Sequence, residues 1–172
     1  MKALWVILGT ALALALQTTA ARFLSGGLFV VDLVLVVVIY ASLAGGPVTG
    51  LLAGTVAGFV QDTLSGGSGV VGIGGLAKTI VGFATGIIGT QFIIAQVPSR
   101  FVAFFVATLV HGLIFIGVSV LLGLREWGQP YTGLLAQALG NAVVGVLAFQ
   151  LAEFLPGAVE RRRQGRGSSL RR

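Results

Sequence analysis

Ionisable side chains that interrupt long apolar stretches are the first candidates for chemistry in this sequence. Asp62 and Lys78 lie on either side of a glycine-rich connection between two apolar segments. An ionised group among apolar segments is costly unless it is paired or functional. We expect a helix–loop–helix hairpin to bring the two side chains together as an ion pair. The pair would either hold the hairpin closed or, as the alternative, serve a partner or a transport role.

Further polar residues occur at the centres and ends of other apolar segments. Asp32 stands near the outer end of one segment, where water is within reach, and His111 lies near the middle of another. Gln137 and Asn141 share one face of the last apolar segment, one helical turn apart. We predict a buried hydrogen-bonded cluster of His111, Gln137 and Asn141, which is favoured over a proton relay.

Catalytic patterns are weak. Gly66-Gly67-Ser68-Gly69 followed by His111 loosely resembles the serine and distant histidine of rhomboid intramembrane proteases. That family also has an upstream histidine, whereas this chain contains one histidine in total and no cysteine. Thiol nucleophiles, thiolate metal sites and multi-histidine clusters are therefore excluded, and no phosphate-binding loop is present. The sequence predicts a protein that is not an enzyme and needs no metal or cofactor.

The composition predicts the elements that position these residues. The 172-residue chain is 56% hydrophobic and 9% charged, against about 25% charged residues in a soluble domain. A transmembrane helix needs about 20 apolar residues, so we predict an all-α membrane bundle of about six spans. The first span also resembles a signal peptide, but its apolar run is long and we expect it to be retained. The predicted spans are residues 3–21, 28–43, 48–60, 70–90, 101–124 and 131–155.

The domain organisation follows from the end of the sixth span. We predict a transmembrane bundle over residues 1–157 that ends at Pro156-Gly157, and a basic cytoplasmic tail over residues 158–172. The tail is interpreted as a topology anchor in preference to a specific lipid or nucleic-acid site. Each Lys or Arg near anionic headgroups contributes about 1 kcal/mol.

The distribution of positive charge predicts the orientation. Only Arg22 and Arg125 fall on the side opposite the termini. Positive residues concentrate on the cytoplasmic side of membrane proteins, so both termini are predicted to be cytoplasmic. The residues on the side of the termini are Lys2, Arg100, Arg161, Arg162, Arg163, Arg166, Arg171 and Arg172.

Glycine spacing predicts how the helices pack. Small residues allow helix backbones to approach closely in lipid, where the usual hydrophobic effect does not drive association. We expect the two striped helices to pack within the bundle, in preference to packing against a partner. The stripes are Gly46, Gly50, Gly54 and Gly58 in the third span and Gly82 and Gly86 in the fourth.

The order of these features resembles the rod shape-determining MreD family. The resemblance rests on DLVL at residues 32–35, Gly46-Pro47, AGFVQDTLSG at 57–66 and GIGGLAKTIVG at 72–82. It covers chain length, span number and residues from about 30 to 90, while the first span and the last two resemble the family only in hydropathy. Val31 departs from the family, which often has proline before the aspartate. The positions that match motif residues are Asp32, Asp62, Leu64, Ser65, Gly66, Lys78 and Gly82.

The resemblance implies a non-catalytic subunit of the bacterial cell-elongation complex in the inner membrane. Such a protein would bind MreC, a bitopic scaffold, and act with the MreB filament and wall-synthesising enzymes in support of cell shape and peptidoglycan synthesis. The family is similar in fold to the substrate-binding subunits of energy-coupling-factor transporters, which gives the alternative function. Ala11 and Ala15 have the small-residue spacing of those subunits, but the chain is poor in the aromatic groups that a ligand pocket needs.

Overall fold

The computed structural model describes residues 8–17, 31–65, 71–92, 96–124 and 132–169. These residues form helices and short turns without a strand, so the predicted all-α bundle is confirmed. The apolar parts of three helices, Ile73–Gln91, Val97–Leu121 and Gly133–Phe154, are long enough to cross a membrane. The helices are α1 (Leu8–Gln17), α2 (Leu33–Gly45), α3 (Pro47–Ser65), α4 (Ile73–Gln91), α5 (Val97–Leu121) and α6 (Thr132–Ser169).

Helix α2 lies at the centre of the bundle and contacts α3, α4, α5 and α6. Its 13 residues span only about 20 Å along the helix axis. Leu35 and Ile39 are fully buried and pack with Phe104 of α5 and Ala142 of α6. A helix that is apolar on all sides is expected to be surrounded by protein, and α2 therefore forms the core around which the longer helices pack.

Helices α3 and α4 form the closest helix pair because glycine lines their interface. A Cβ atom added at Gly50 would collide with the carbonyl of Gly82, and one at Gly54 would collide with the carbonyl of Lys78. A Cβ atom added at Gly58 would likewise collide with the Cα of Gly75. Backbone contacts backbone along this pair, as small residues allow in membrane bundles.

Glycine also allows close packing at the other end of the α3–α4 pair. A Cβ atom added at Gly86 would collide with Pro47, the first residue of α3. Gly46 forms the turn between α2 and α3 with a φ of 86°, a value that L side chains rarely adopt. Its backbone N–H donates to the carbonyl of Ser42, which closes the end of α2.

Helices α3 and α6 extend by five residues or more beyond the predicted ends of their spans. Helix α3 continues to Ser65, whereas the predicted span ends at residue 60, because the polar side chains of Gln61 and Asp62 find partners inside the bundle. Helix α6 continues to Ser169, past the predicted span end at Pro156-Gly157, although its apolar span ends at Phe154. A proline inside a helix removes one hydrogen bond but does not have to end the helix. The arginine-rich sequence that follows has good helix propensity.

Candidate functional site: a buried polar centre

The polar centre is built around an ion pair between Asp32 and Lys78. Asp32 is the N-cap of α2, and its Oδ1 accepts a hydrogen bond from the backbone N–H of Leu35 at 3.0 Å. Its Oδ2 lies 2.8 Å from the Nζ of Lys78, and the two side chains are 7% and 3% exposed. The expectation that Asp32 reaches water is therefore wrong, because α3, α4, α5 and α6 surround the start of α2.

The predicted ion pair between Asp62 and Lys78 is also wrong. The Oδ2 of Asp62 accepts hydrogen bonds from the backbone N–H groups of Gly72 at 2.9 Å and Gly75 at 3.0 Å. The first turn of a helix has unpaired N–H donors and a partial positive charge, which together attract a carboxylate. Asp62 thus caps α4 from α3, while Lys78, more than one turn further along α4, reaches Asp32.

Two long hydrogen bonds connect the ion pair to α3 and α5. Gln61 Nε2 donates to the Oδ1 of Asp32 at 3.4 Å. Lys78 Nζ lies 3.4 Å from the Nε2 of His111, whose ring stacks on Phe115 with the centroids 6.4 Å apart. The lysine ammonium thus lies between a carboxylate and an imidazole. Among the described residues, the Oε1 of Gln61 and the Nδ1 of His111 have no hydrogen-bond partner.

Asn141 connects the centre to α6. Its Oδ1 accepts a hydrogen bond from the backbone N–H of Asp32 at 2.9 Å, and its Nδ2 donates to the Thr108 hydroxyl at 3.3 Å. The predicted cluster of His111, Gln137 and Asn141 is wrong in its membership. His111 is hydrogen-bonded to Lys78, and Asn141 is hydrogen-bonded to Asp32 and Thr108. The half-buried Gln137 is bonded to neither His111 nor Asn141.

Sequence reasoning missed two members of the centre, Gln61 and Thr108. Thr108 lies three residues before His111, and residues at this spacing share one face of a helix, so it could have been found from its neighbour. Gln61 directly precedes the matched motif residue Asp62 and could have been included with it. The centre then contains at least one polar residue from α3, α4, α5 and α6 around the N-cap of α2.

The opposite charges of Asp32 and Lys78 stabilise the contacts between the helices of the centre. The carboxylate and the ammonium cancel in charge, and their attraction is strong where water is excluded. Removing one partner would leave an unpaired buried charge, which is strongly destabilising. None of the bonds described in the centre involves a serine hydroxyl, and Ser68 lies outside the described residues. In the part of the chain that the structure describes, no three His, Cys, Asp or Glu residues are grouped to hold a metal ion.

The remaining motif positions lie near the end of α3. Leu64 is 62% exposed, Ser65 is the last residue of α3, and Gly66 lies outside the described residues.

A second ion pair connects α5 and α6 away from the centre. The Arg100 guanidinium donates from both terminal nitrogens to the Glu153 carboxylate and lies 4.3 Å from the centroid of the Phe149 ring.

Comparison with known proteins identifies a family. The family model described as rod shape-determining protein MreD matches residues 1–155. The matched range covers α1 to α5, the apolar part of α6 and every residue of the polar centre. No curated protein and no solved structure matches the chain.

Proposed function

The chain belongs to the rod shape-determining MreD family, and from this premise we propose that it is a non-catalytic membrane subunit of the bacterial cell-elongation complex. Membership of the family gives it a role in rod shape determination. We propose further that it binds an MreC-type bitopic partner and thereby supports peptidoglycan synthesis. The family match over residues 1–155 is the observation that carries the proposal.

The use of the ionisable residues supports a structural role. Lys78 is paired with Asp32, and Asp62 is bonded to the first turn of α4. A catalytic group must be within reach of a substrate, whereas Asp32 and Lys78 are almost completely buried among helices. The centre therefore serves to hold five helices in one arrangement.

A fixed arrangement is what a membrane scaffold needs. Apolar surface alone does not drive helix association in lipid, so binding depends on close packing and on hydrogen bonds. Because the α3–α4 interface is backbone on backbone, the outer faces of these helices are held at a defined separation. We propose that the single transmembrane helix of the MreC-type partner packs against an outer face of this preformed bundle.

The location follows from the same proposal. The protein would be a multi-pass protein of the inner membrane with both termini in the cytoplasm. The MreB filament would then act from the side of the termini, and the wall-synthesis enzymes would act beside the bundle or outside it. The positive residues on the side of the termini support this orientation.

An affinity purification from native membranes in mild detergent tests the proposal, with co-purifying proteins identified by mass spectrometry. The wild-type chain is expected to recover an MreC-type protein. Gly54→Leu is expected to lose it, because the new side chain would collide with the backbone of Lys78. Gly117→Leu in α5 is the matched control, because it lies outside the α3–α4 pair and a Cβ at this position would meet nothing within 4 Å.

One result would contradict the proposed partner, and another would contradict the proposed binding surface. Recovery of a paired ATPase and a transmembrane coupling subunit in place of an MreC-type protein would indicate a transporter subunit. Recovery of the MreC-type protein with folded Gly54→Leu at the wild-type level would show that the packing of α3 on α4 does not shape the binding surface.

A further inference from the structure

Helix α6 has an extension that lies beyond the residues matched by the family model. Its apolar span ends at Phe154, yet the helix continues without a break to Ser169. Residues 155–172 contain six arginines and a single acidic residue, Glu160. The nearest acidic residue in the span, Glu153, is already paired with Arg100. The extension therefore has a large excess of positive charge.

The register of α6 puts the positions of the first arginines in line with the exposed stripe of its span. Leu147, Leu151 and Phe154 are 56%, 66% and 74% exposed and form the outer stripe of the span. Arg161 follows Phe154 by seven residues, about two helical turns, and Arg162 follows Leu151 by eleven residues, about three turns. At 3.6 residues per turn, both positions fall within about 20° of the residues they follow. The positions of Arg161 and Arg162 therefore continue the face that α6 presents to lipid.

Their distance from the span puts the two arginines just beyond the headgroup region. Seven or eight residues of helix advance about 10–12 Å along the axis. The polar layer on each side of a bilayer is about 5–8 Å thick, and charges act over about 8 Å at physiological ionic strength. Arg161 and Arg162 are therefore close enough to the bilayer surface to be attracted by anionic headgroups.

We propose that the extension of α6 at Arg161 and Arg162 binds the headgroups of anionic phospholipids that surround the bundle. The shared face and the short distance from Phe154 distinguish this site from a general excess of positive charge. The site is independent of any protein partner, so the proposal can fail while the proposed function stands, or the reverse.

Lipid retention by the purified full-length chain tests the site. The protein is equilibrated in mixed micelles of phosphatidylglycerol and phosphatidylcholine, and the bound lipids are counted by native mass spectrometry. The wild type is expected to retain phosphatidylglycerol in preference. In the Arg161→Gln/Arg162→Gln variant, the preference for phosphatidylglycerol is expected to fall about tenfold, since each arginine near the surface adds to the attraction.

The matched control is Arg171→Gln/Arg172→Gln, which removes the same charge farther along the sequence and should retain most of the preference. Arg161→Lys/Arg162→Lys keeps the charge and should behave as the wild type, which separates loss of binding from loss of folding. Equal retention of the two lipids by the wild type would overturn the proposal, even if an acidic protein were found to bind the extension. An equal loss in the two glutamine variants would overturn it as well.

Discussion

The Nζ of Lys78 lies 2.8 Å from the Oδ2 of Asp32, across 46 residues of sequence, and both side chains are almost completely buried. The pair joins α4 to the N-cap of α2, and the backbone N–H of Asp32 is bonded in turn to Asn141 of α6. Asp32 thus joins the start of α2 to both α4 and α6.

Lys78→Met is expected to destabilise the bundle by about 3–5 kcal/mol, because it leaves the buried carboxylate of Asp32 without its partner. Asp32→Asn/Lys78→Met removes both charges, keeps similar shapes and should recover most of the loss. Reversible unfolding in mixed detergent micelles measures the difference. A double variant as unstable as the single variant would show that the charge pairing is not what stabilises the centre.

Gly82→Ala is expected to destabilise the protein by about 1–3 kcal/mol, the usual cost of overpacking. The added methyl group would collide with the carbonyl of Gly50. Gly117→Ala is the control, because a Cβ at this helical position would meet nothing within 4 Å. The control should gain up to about 1 kcal/mol from helix propensity. The same detergent unfolding experiment compares the two, and equal effects would contradict the close approach of α3 and α4.

Asp62→Ala is expected to cost about 0.5–2 kcal/mol, the range for loss of a helix cap. The loss should be local to the start of α4, where Gly72 and Gly75 donate to the carboxylate. Amide hydrogen exchange measures it as faster exchange at these two residues. Asp62→Asn keeps one acceptor oxygen and should give an intermediate rate. Unchanged exchange at both residues in Asp62→Ala would contradict the capping role.

Composition and spacing were sufficient to predict the class of the fold. A low charge content and repeated apolar segments require a membrane helix bundle, and the family match agrees with the resemblance carried by residues 30–90. The same reasoning selected Asp32, Lys78, His111 and Asn141, since polar side chains in apolar segments must find partners. The residue types and their positions along the chain thus indicated much of the polar centre.

The pairing within the centre could not be predicted from the sequence. Asp62 and Lys78 are close in sequence, but the unpaired N–H groups at the start of α4 lie closer to Asp62 than the lysine does. Which residue Lys78 meets depends on where α2 begins relative to α4, and contacts between distant segments determine that position. Gln137 was misplaced for a related reason: it lies on the same face as Asn141 but one turn earlier, and the height of α6 relative to α2 decides which of the two meets Asp32.

The central claim is that the buried charges act by holding the bundle in the shape that its partner requires. Rod-shape complementation by the folded Asp32→Asn/Lys78→Met variant, in cells depleted of the native protein, tests this claim most directly. We predict that the double variant restores rod shape and recovers the MreC-type partner, whereas Lys78→Met alone does neither. A double variant that is as stable as the wild type but leaves the cells round would contradict the claim, because the charges themselves would then be required for function.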